Sequence, residues 1–181
     1  MSNFVIKPYS RECARTWDAI VTSARNGTFL HQRDYMDYHA DRFEDCSVLV
    51  MDDDVPVAVF PANRNGDRVI SHEGLTFGGL MFGPAQKAAD VRDILAKLVD
   101  YYCSSGAIGL TYKAVPHIFH TYPADDDLYA LFTQNARLVQ RDLSCAIELK
   151  RRLKYNNQRK RGISKARRAG VEIRLGHFYS Q

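Results

Sequence analysis

Three strand-like runs follow one another in residues 47 to 71, SVLVMDDDVPVAVFPANRNGDRVIS. The runs are Ser47 to Met51, Val55 to Asn63 and Arg68 to Ser71, separated by three aspartates and by an Asn-Gly pair. β-Branched residues favour strands, and Asn-Gly is a strong signal for a two-residue hairpin turn. The stretch therefore predicts a three-stranded antiparallel meander.

Helical and strand patterns surround the meander. Apolar residues at helical spacing predict two helices before it and two after it. Before the meander, the predicted elements are a strand at Phe4 to Lys7, a helix over Cys13 to Ala24 and a short helix from Arg33 to about Ala40. After it, the first predicted element is a helix with Val91, Ile94, Leu95, Leu98, Val99 and Tyr102 on one face. A buried strand at Ala107 to Val115, a helix at Asp125 to Asn135 and a last strand at Leu138 to Leu149 follow. This order predicts an α/β (α+β) fold, with a mixed, largely antiparallel central sheet flanked by helices.

Basic residues are concentrated in one segment. Ten of the chain's 25 Lys and Arg residues lie between Lys150 and Arg168, a stretch without Asp or Glu that we call the basic segment. Without them the chain holds 15 basic and 21 acidic side chains, so its formal charge of +4 becomes −6. A helix is predicted from Asn157 to Arg168, ending at Gly170, and Val171 to Leu175 is predicted to be extended.

Several classes of protein are disfavoured by composition. No apolar run has the length of a membrane span, and the first residues do not resemble a signal peptide, so a bacterial-type cytoplasmic location is expected. The four cysteines are far apart and predict reduced thiols rather than a zinc site or a disulfide framework. His117 and His120 have no third ligand nearby in the sequence, so we expect structural histidines and no metal.

The order of elements resembles the GNAT acyltransferase fold. Five stretches more narrowly resemble the first half of two-domain proteins in the FemAB-like branch of that superfamily. They are SARNGTFLHQRDYMDYHADRF (23 to 43), SHEGLTFGGL (71 to 80), LTYKAVPHIFHTYPADDDLYALF (110 to 132), RDLSCAIEL (141 to 149) and RKRGISKARRAGVEI (159 to 173). The resemblance implies a GNAT-like N-terminal domain at 1–149, a basic connector helix at 150–170, and at 171–181 the first strand of a second half that is truncated or absent.

The same resemblance implies a function. Members of the branch transfer acyl or aminoacyl groups to amines of cell-wall precursors or sugars. The donor, acyl-CoA or aminoacyl-tRNA, is expected mainly on the second half. The reaction is a direct attack by the amine, without a covalent enzyme intermediate. The implied partners are a small-molecule or lipid-linked amine acceptor, and a homodimer or second GNAT-like half. Peripheral membrane contact is a further alternative, and no specific nucleic acid is expected beyond a tRNA donor.

The glycine-rich loop from His72 to Pro84 has two interpretations. In the GNAT family a basic or Gln residue lies two places before a glycine here, and amides at the following helix start hold pyrophosphate. This loop has Gly78 and Gly79 as candidate substrate-binding positions, but no Arg, Lys or Gln before Gln86. A tight turn close over the sheet is the favoured alternative to a phosphate cradle. A near-match to the family signature, Arg159 to Ser164, lies after the last predicted strand.

Polar residues near this loop are the candidate site. His72 and Glu73 are the candidate catalytic residues, as acceptor ligands or proton relays, with a turn and a solvated loop as the alternative. Tyr112 and Lys113 are candidate substrate ligands, because a Lys in an apolar strand needs a partner or an anion unless it points to water. His31 is a candidate for an acceptor groove or a structural residue.

Three interpretations of the basic segment remain open. It is a solvated surface helix, or its residues Arg159, Arg161 and Lys165 bind an anionic ligand, or it binds nucleic acid, which ranks last. For the whole chain, the leading hypothesis is half of an amine acyltransferase. The runner-up is a non-catalytic binding or scaffold module that needs a partner chain.

Overall fold

The computed structural model describes residues 3–38, 40–143 and 145–174. The chain divides into two compact units, Met1–Leu143 and Ser144–Gln181. The strands are β1 Phe4–Pro8, β2 Glu44–Asp45, β3 Val48–Asp52, β4 Val55–Phe60, β5 Asn63–Asn65, β6 Arg68–Ile70, β7 Met81–Phe82 and β8 Gly109–Thr111. The helices are α1 Ala14–Ser23, α2 Arg33–Asp37, α3 Ala88–Ser104, α4 Asp126–Thr133 and α5 Asn157–Arg168, with short 3₁₀ turns between some elements.

The first sheet has the strand order β1-β3-β4-β7, and all its pairs are antiparallel. The β3–β4 turn passes through Asp53 at φ +50°, a left-handed conformation that Asp tolerates better than most residues. Val48 and Val50 face one side of this sheet, where α3 packs. Leu49 faces the opposite side, where Trp17 of α1 is fully buried. The sheet is therefore covered by a helix on each face, which confirms the predicted fold class.

The predicted middle strand of the meander is divided between two sheets. Residues from Val55 to Phe60 form β4, but Asn63 begins β5 in a second sheet of order β2-β5-β6-β8. The break falls at Pro61, which has no N–H to donate to a ladder. Ser47 fixes the position of Ala62, the residue after Pro61, because its Oγ accepts the Ala62 N–H at 3.0 Å. The predicted hairpin between β5 and β6 is confirmed, with Gly66 and Asp67 as its two turn residues, because Asn65 pairs with Arg68.

The edge strand β8 makes a parallel pair in the second sheet. Strand β8 lies beside β6, with Val69 opposite Leu110. The predicted strand from Ala107 to Val115 is thus shorter than expected, and ladder pairing covers only Gly109–Thr111.

The last predicted strand is wrong. Residues 138–143 and 145–149 form no strand, and Leu149 opens a 3₁₀ turn instead. The apolar side chains that suggested a buried strand are exposed, among them Leu138, Val139, Leu143 and Ile147. Alternating apolar residues specify a strand only when a neighbouring strand supplies hydrogen bonds and an apolar face.

The second unit contains α5 as predicted. Asn156 caps its start, because the side-chain oxygen accepts the Arg159 N–H at 2.9 Å. Gly170, at φ +73°, ends it in a Schellman arrangement in which the Val171 N–H reaches the Ala166 carbonyl. Residues Val171 to Arg174 have no strand pairing, and Leu175 lies outside the described residues. Among the helices that are described, none is both long and apolar enough to cross a membrane.

Candidate functional site

The glycine-rich loop lies between β6 and β7, against the end of β8. His72 turns the chain at φ +63°, and its N–H donates to the Ile70 carbonyl at 2.7 Å. Beyond the paired residues of β6 and β8, the Lys113 N–H donates to Ser71 Oγ at 2.7 Å, and the Gly78 N–H donates to the Lys113 carbonyl at 2.8 Å. The loop's own backbone therefore occupies the space next to β8.

Close approach explains two of the loop's glycines. A Cβ on Gly78 would lie 1.8 Å from the carbonyl oxygen of Ser71. Gly79 has φ +88°, and a Cβ there would lie 2.8 Å from the Tyr112 ring. Both positions need glycine for packing, as the tight-turn interpretation requires.

Tyr112 fixes the end of this loop to α4. Its hydroxyl donates to Asp127 Oδ2 at 2.7 Å and accepts the Leu80 N–H at 2.9 Å. Burial and the neighbouring Asp127 raise the pKa of Tyr112 well above its usual value. Burial likewise raises the pKa of Asp127, against the opposing effect of the Tyr112 hydrogen bond. The pair is a part-buried link between the loop and α4.

Lys113 is half-buried and points back into the loop. Its Nζ donates to the His72 carbonyl at 3.1 Å and also to the Leu75 carbonyl. Burial lowers its pKa, while the charge of Glu73 acts in the opposite direction. The partner that a Lys in this strand was expected to need is thus a pair of backbone carbonyls.

Glu73 joins the loop to the β5–β6 hairpin. Its carboxylate accepts hydrogen bonds from the amide groups of Asn63 and Asn65, at 3.2 Å and 3.1 Å for the shortest contacts. Its backbone N–H donates to Asn63 Oδ1 at 2.6 Å. The side chain is exposed, and these two amides are its side-chain partners.

His31 is fully buried and caps a short 3₁₀ turn. Its Nδ1 lies 3.2 Å from the Thr28 backbone nitrogen, and its Nε2 lies 3.3 Å from the Phe77 carbonyl oxygen. Because a carbonyl only accepts, the assigned tautomer carries its proton on Nε2. Burial lowers the pKa of His31 to about 4, so the ring is neutral at pH 7.

His72 is the loop residue that keeps an unused polar atom. The residue is 4% exposed, its ring packs edge-on against Phe43, and its buried Nδ1 has no hydrogen-bond partner. Burial lowers the pKa of His72, although the charge of Asp45 partly opposes this effect. The ring is therefore neutral at pH 7 and has an atom free to accept a proton.

Next to His72 lies a part-buried cluster that was not predicted from the sequence, in which Arg33 is buried and two aspartates are partly exposed. The Nη2 of Arg33 donates to Asp37 Oδ1 at 2.6 Å and to Asp45 Oδ2 at 2.5 Å. The guanidinium lies 3.7 Å over the Tyr9 ring, and the residue is 4% exposed. Although burial alone would raise it, the hydrogen bond from Ser47 and the charge of Arg33 hold the pKa of Asp45 below its usual range. With both carboxylates ionised, the cluster carries a net charge of −1.

Two cavities share this cluster. The larger has a volume of about 340 Å³ and is lined by Tyr9, Ser10, Arg11, Arg33, Asp37, Ala40 and Asp45. The smaller, about 10 Å³, is lined by Arg33, Met36, Asp37, Ala40, Phe43, Asp45 and His72, and is roughly the size of one water. The shared carboxylates thus border both the open cavity and the small one that contains His72.

The GNAT resemblance implies a pyrophosphate site at the start of α3. A carboxylate occupies this position instead. Asp90 lies in the first turn of α3 and accepts the Lys87 N–H through Oδ2 at 2.9 Å. A carboxylate at this end already complements the helix dipole and would repel phosphate. The residues present do not fit a bound pyrophosphate.

The candidate anion-binding residues belong to the second unit. Arg159, Arg161 and Lys165 all lie on α5 and are exposed. Arg161 and Lys165 are four residues apart and share a face of the helix. Within the described part of the chain, no group of three His, Cys, Asp or Glu side chains is placed to hold a metal ion.

Comparison of the structure with known ones defines the class of fold. A scan with family models gives no match, and neither does a search of curated proteins. Two solved structures with the GNAT fold are similar to this chain. Both are of aminoglycoside N-acetyltransferase AAC(6')-Iy. The first, with the bisubstrate analogue CoA-S-monomethyl-acetylneamine, has a TM-score of 0.53 at 13% identity, covering 81% of this chain and 99% of that one.

The second structure contains CoA and has a TM-score of 0.45 at 12% identity, covering 82% of this chain and 95% of the other. At these identities the similarity concerns the fold alone. The chain has the GNAT fold, as the order of its elements indicated.

Proposed function

We propose that this chain is an N-acyltransferase that transfers an acyl group from an activated ester or thioester to a primary amine. The GNAT fold supports the reaction class. The observation that carries the proposal is the cavity of about 340 Å³ in which Asp37 and Asp45 share Arg33, next to the small cavity that His72 lines.

The cavity is suited to bind an amine in its ammonium form. One oxygen of each carboxylate is paired with Arg33, and Asp45 Oδ1 also accepts the Ser47 N–H at 2.8 Å. Arg33, Asp37 and Asp45 together keep a net negative charge that a cation would neutralise. Arg11 lies at the exposed rim and would attract an anionic group elsewhere on the same acceptor. An amino group on a sugar or peptide precursor that also carries phosphate or carboxylate fits this pattern. The cell-envelope acceptors of the FemAB-like branch belong to this class.

His72 is the proposed proton acceptor. The neutral amine nitrogen attacks the acyl carbon, an N–C bond forms, and the bond from that carbon to the leaving oxygen or sulfur breaks. The bound ammonium releases one proton to solvent before the attack. The second amine proton passes to His72 Nδ1 through a water in the small cavity, and His72 returns it to the leaving oxygen or sulfur, which departs as an alcohol or thiol. No nucleophilic side chain takes part.

The donor is proposed to be acyl-CoA or aminoacyl-tRNA. The similar AAC(6')-Iy structures contain CoA or a CoA-linked analogue, which favours the first. Since Asp90 occupies the start of α3, we propose that a second half or a second copy of the chain holds the donor's phosphates. His31 and Glu73 are proposed to position the loop.

The proposal is tested by mixing the full chain with acetyl-CoA and a panel of primary amines, and measuring both released thiol and acetylated amine. Charged tRNA replaces acetyl-CoA in a parallel series. Product that depends on amine and on protein supports the proposal. Absence of product with every donor, from folded protein that binds the amines, contradicts it.

Asp37→Asn is expected to raise the KM for a cationic amine roughly 10- to 100-fold, with a smaller effect on kcat, because one charged hydrogen bond to the ammonium is lost. The matched control is Asp34→Asn, which removes a carboxylate from the same helix outside the cavity. Steady-state kinetics with an aminated and a hydroxylated acceptor analogue measure the effect. Equal KM values for the two variants would argue against the acceptor site.

His72→Asn is expected to lower kcat about 100-fold while the melting temperature changes little. Asn tolerates the left-handed backbone at this position but does not titrate. In the wild-type protein, kcat should rise with pH and reach its plateau at a lower pH than an exposed histidine would give, because burial lowers the pKa of His72. An unchanged pH profile in the variant would show that another group accepts the proton.

The second candidate function is a non-catalytic binding module. It is favoured by the loop backbone that fills the space next to β8 and by Asp90 at the start of α3, since both reduce the room for a donor in the first unit. Amine binding without turnover by the full chain, alone and after addition of each donor, would support this alternative.

A further inference from the structure

We propose that residues 147–173 form a docking surface for an anionic lipid membrane. The basic segment supplies ten positive charges without one acidic residue among them. Glu148 and Glu172 flank it, and the contact of Glu148 with Arg151 is exposed and 3.7 Å long. This charge has almost no internal compensation in the second unit, so it is available to an anionic partner.

Exposed apolar side chains accompany the charges. Leu149 is 73% exposed and Leu153 is 89% exposed, and Tyr155 lies between Leu153 and the start of α5. After the C-terminal end of α5, Ile173 is 96% exposed. None of the described residues in 145–174 is buried. Apolar side chains that stay in water next to uncompensated cations indicate a partner that is both apolar and anionic.

The positive charges at the start of α5 are unfavourable for the helix itself, whereas those in its last turn are favourable. Arg159, Lys160 and Arg161 lie in or next to its first turn, where positive charge opposes the helix dipole. Arg161, Lys165 and Arg168 follow one another at spacings of four and three residues, which places them on one face. An anionic surface along that face would offset the unfavourable charges at the start of the helix.

A membrane fits these features better than a nucleic acid does. Lipid phosphates pair with the cations, and the boundary between headgroups and acyl chains accepts leucine and tyrosine side chains. A nucleic acid would pair with the cations but would leave Leu149, Leu153 and Ile173 in water. Stacking on bases usually involves several aromatic residues, and this segment has Tyr155 alone.

The test is sedimentation of the full chain with vesicles of phosphatidylcholine, and with vesicles containing about one third phosphatidylglycerol. Binding is expected to be at least about 50-fold tighter to the anionic vesicles in 0.1 M salt and to be lost in 1 M salt, where the Debye length is about 3 Å. The variant Arg161→Gln/Lys165→Gln/Arg168→Gln should bind about 100-fold more weakly. The matched control, Lys7→Gln/Arg15→Gln/Lys97→Gln, removes three exposed charges from the first unit and should bind as the wild type does.

A second variant, Leu149→Ser/Leu153→Ser, separates a membrane from a nucleic acid. It should weaken vesicle binding about tenfold and leave the affinity for a 20-base-pair DNA duplex unchanged. Equal affinity for both vesicle types, an unchanged affinity in either variant, or tighter binding to the duplex than to anionic vesicles in the same salt would overturn the proposal. The measurement involves no acyl transfer, so its outcome is independent of the proposed function.

Discussion

Replacing Gly78 by Ala is expected to lower the free energy of unfolding by about 3 kcal/mol or more. The new Cβ would lie 1.8 Å from the carbonyl oxygen of Ser71, which is backbone and cannot rotate away. Relief requires the loop to move off the sheet. That movement breaks the hydrogen bond from the Gly78 N–H to the Lys113 carbonyl and strains the 2.9 Å bond from Ser71 N–H to Thr111.

Urea and thermal unfolding measure this effect, and the melting temperature should fall by at least about 6 °C for a chain of this size. Gly109→Ala is the matched control. A Cβ there would lie 3.5 Å from the Arg68 guanidinium, an ordinary contact, so the free energy of unfolding should change by less than about 1 kcal/mol. Similar losses in both variants would show that the loop does not lie this close to the sheet.

Acidification is expected to destabilise the first unit through His31. The pKa of the buried ring is about 4, below the value near 6.5 of an unfolded chain. Above pH 6.5 His31 is neutral in both the folded and the unfolded chain, so it does not contribute to the pH dependence of the free energy of unfolding. Below pH 6.5 the unfolded state binds the proton first. The free energy of unfolding should therefore fall by up to about 3 kcal/mol between pH 6.5 and pH 4.

His31→Asn isolates this contribution. The Asn side chain can still accept the Thr28 N–H, but it does not titrate. Urea unfolding between pH 4 and pH 7.5 should give a shallower pH dependence for the variant than for the wild type, and His72 accounts for part of what remains. Parallel curves for the two proteins would mean that His31 is not buried as a neutral ring.

Local sequence patterns were sufficient to predict most of the fold. The apolar face of α3 and the Asn-Gly hairpin depend on periodicity and turn chemistry within a few residues, and both were predicted. The strand at Leu138 to Leu149 failed because its alternation is a local property, whereas a strand needs a neighbour. The division of the meander at Pro61 also depends on a distant residue, since Ser47 holds Ala62 there.

The candidate site was predicted in part. His72, Glu73, Gly78, Gly79, Tyr112 and Lys113 were named as candidates from the sequence, and the structure brings them together around the loop and β8. The cluster of Arg33, Asp37 and Asp45 was missed. Arg33 and Asp37 are four residues apart on a short helix, a spacing that ordinarily indicates a solvated pair, and nothing in the sequence near Arg33 points to Asp45.

The sequence by itself determined the mixed α/β class, the order of the central elements and the isolation of ten positive charges in one segment, because these follow from periodicity and composition. Tertiary structure alone decided which polar residues remain available. In the folded chain, Lys113, Glu73 and His31 are hydrogen-bonded to neighbouring groups. His72 Nδ1 has no hydrogen-bond partner, and the small cavity next to it is also lined by two carboxylates that share one arginine. Burial and hydrogen bonding are set by residues far apart in the chain.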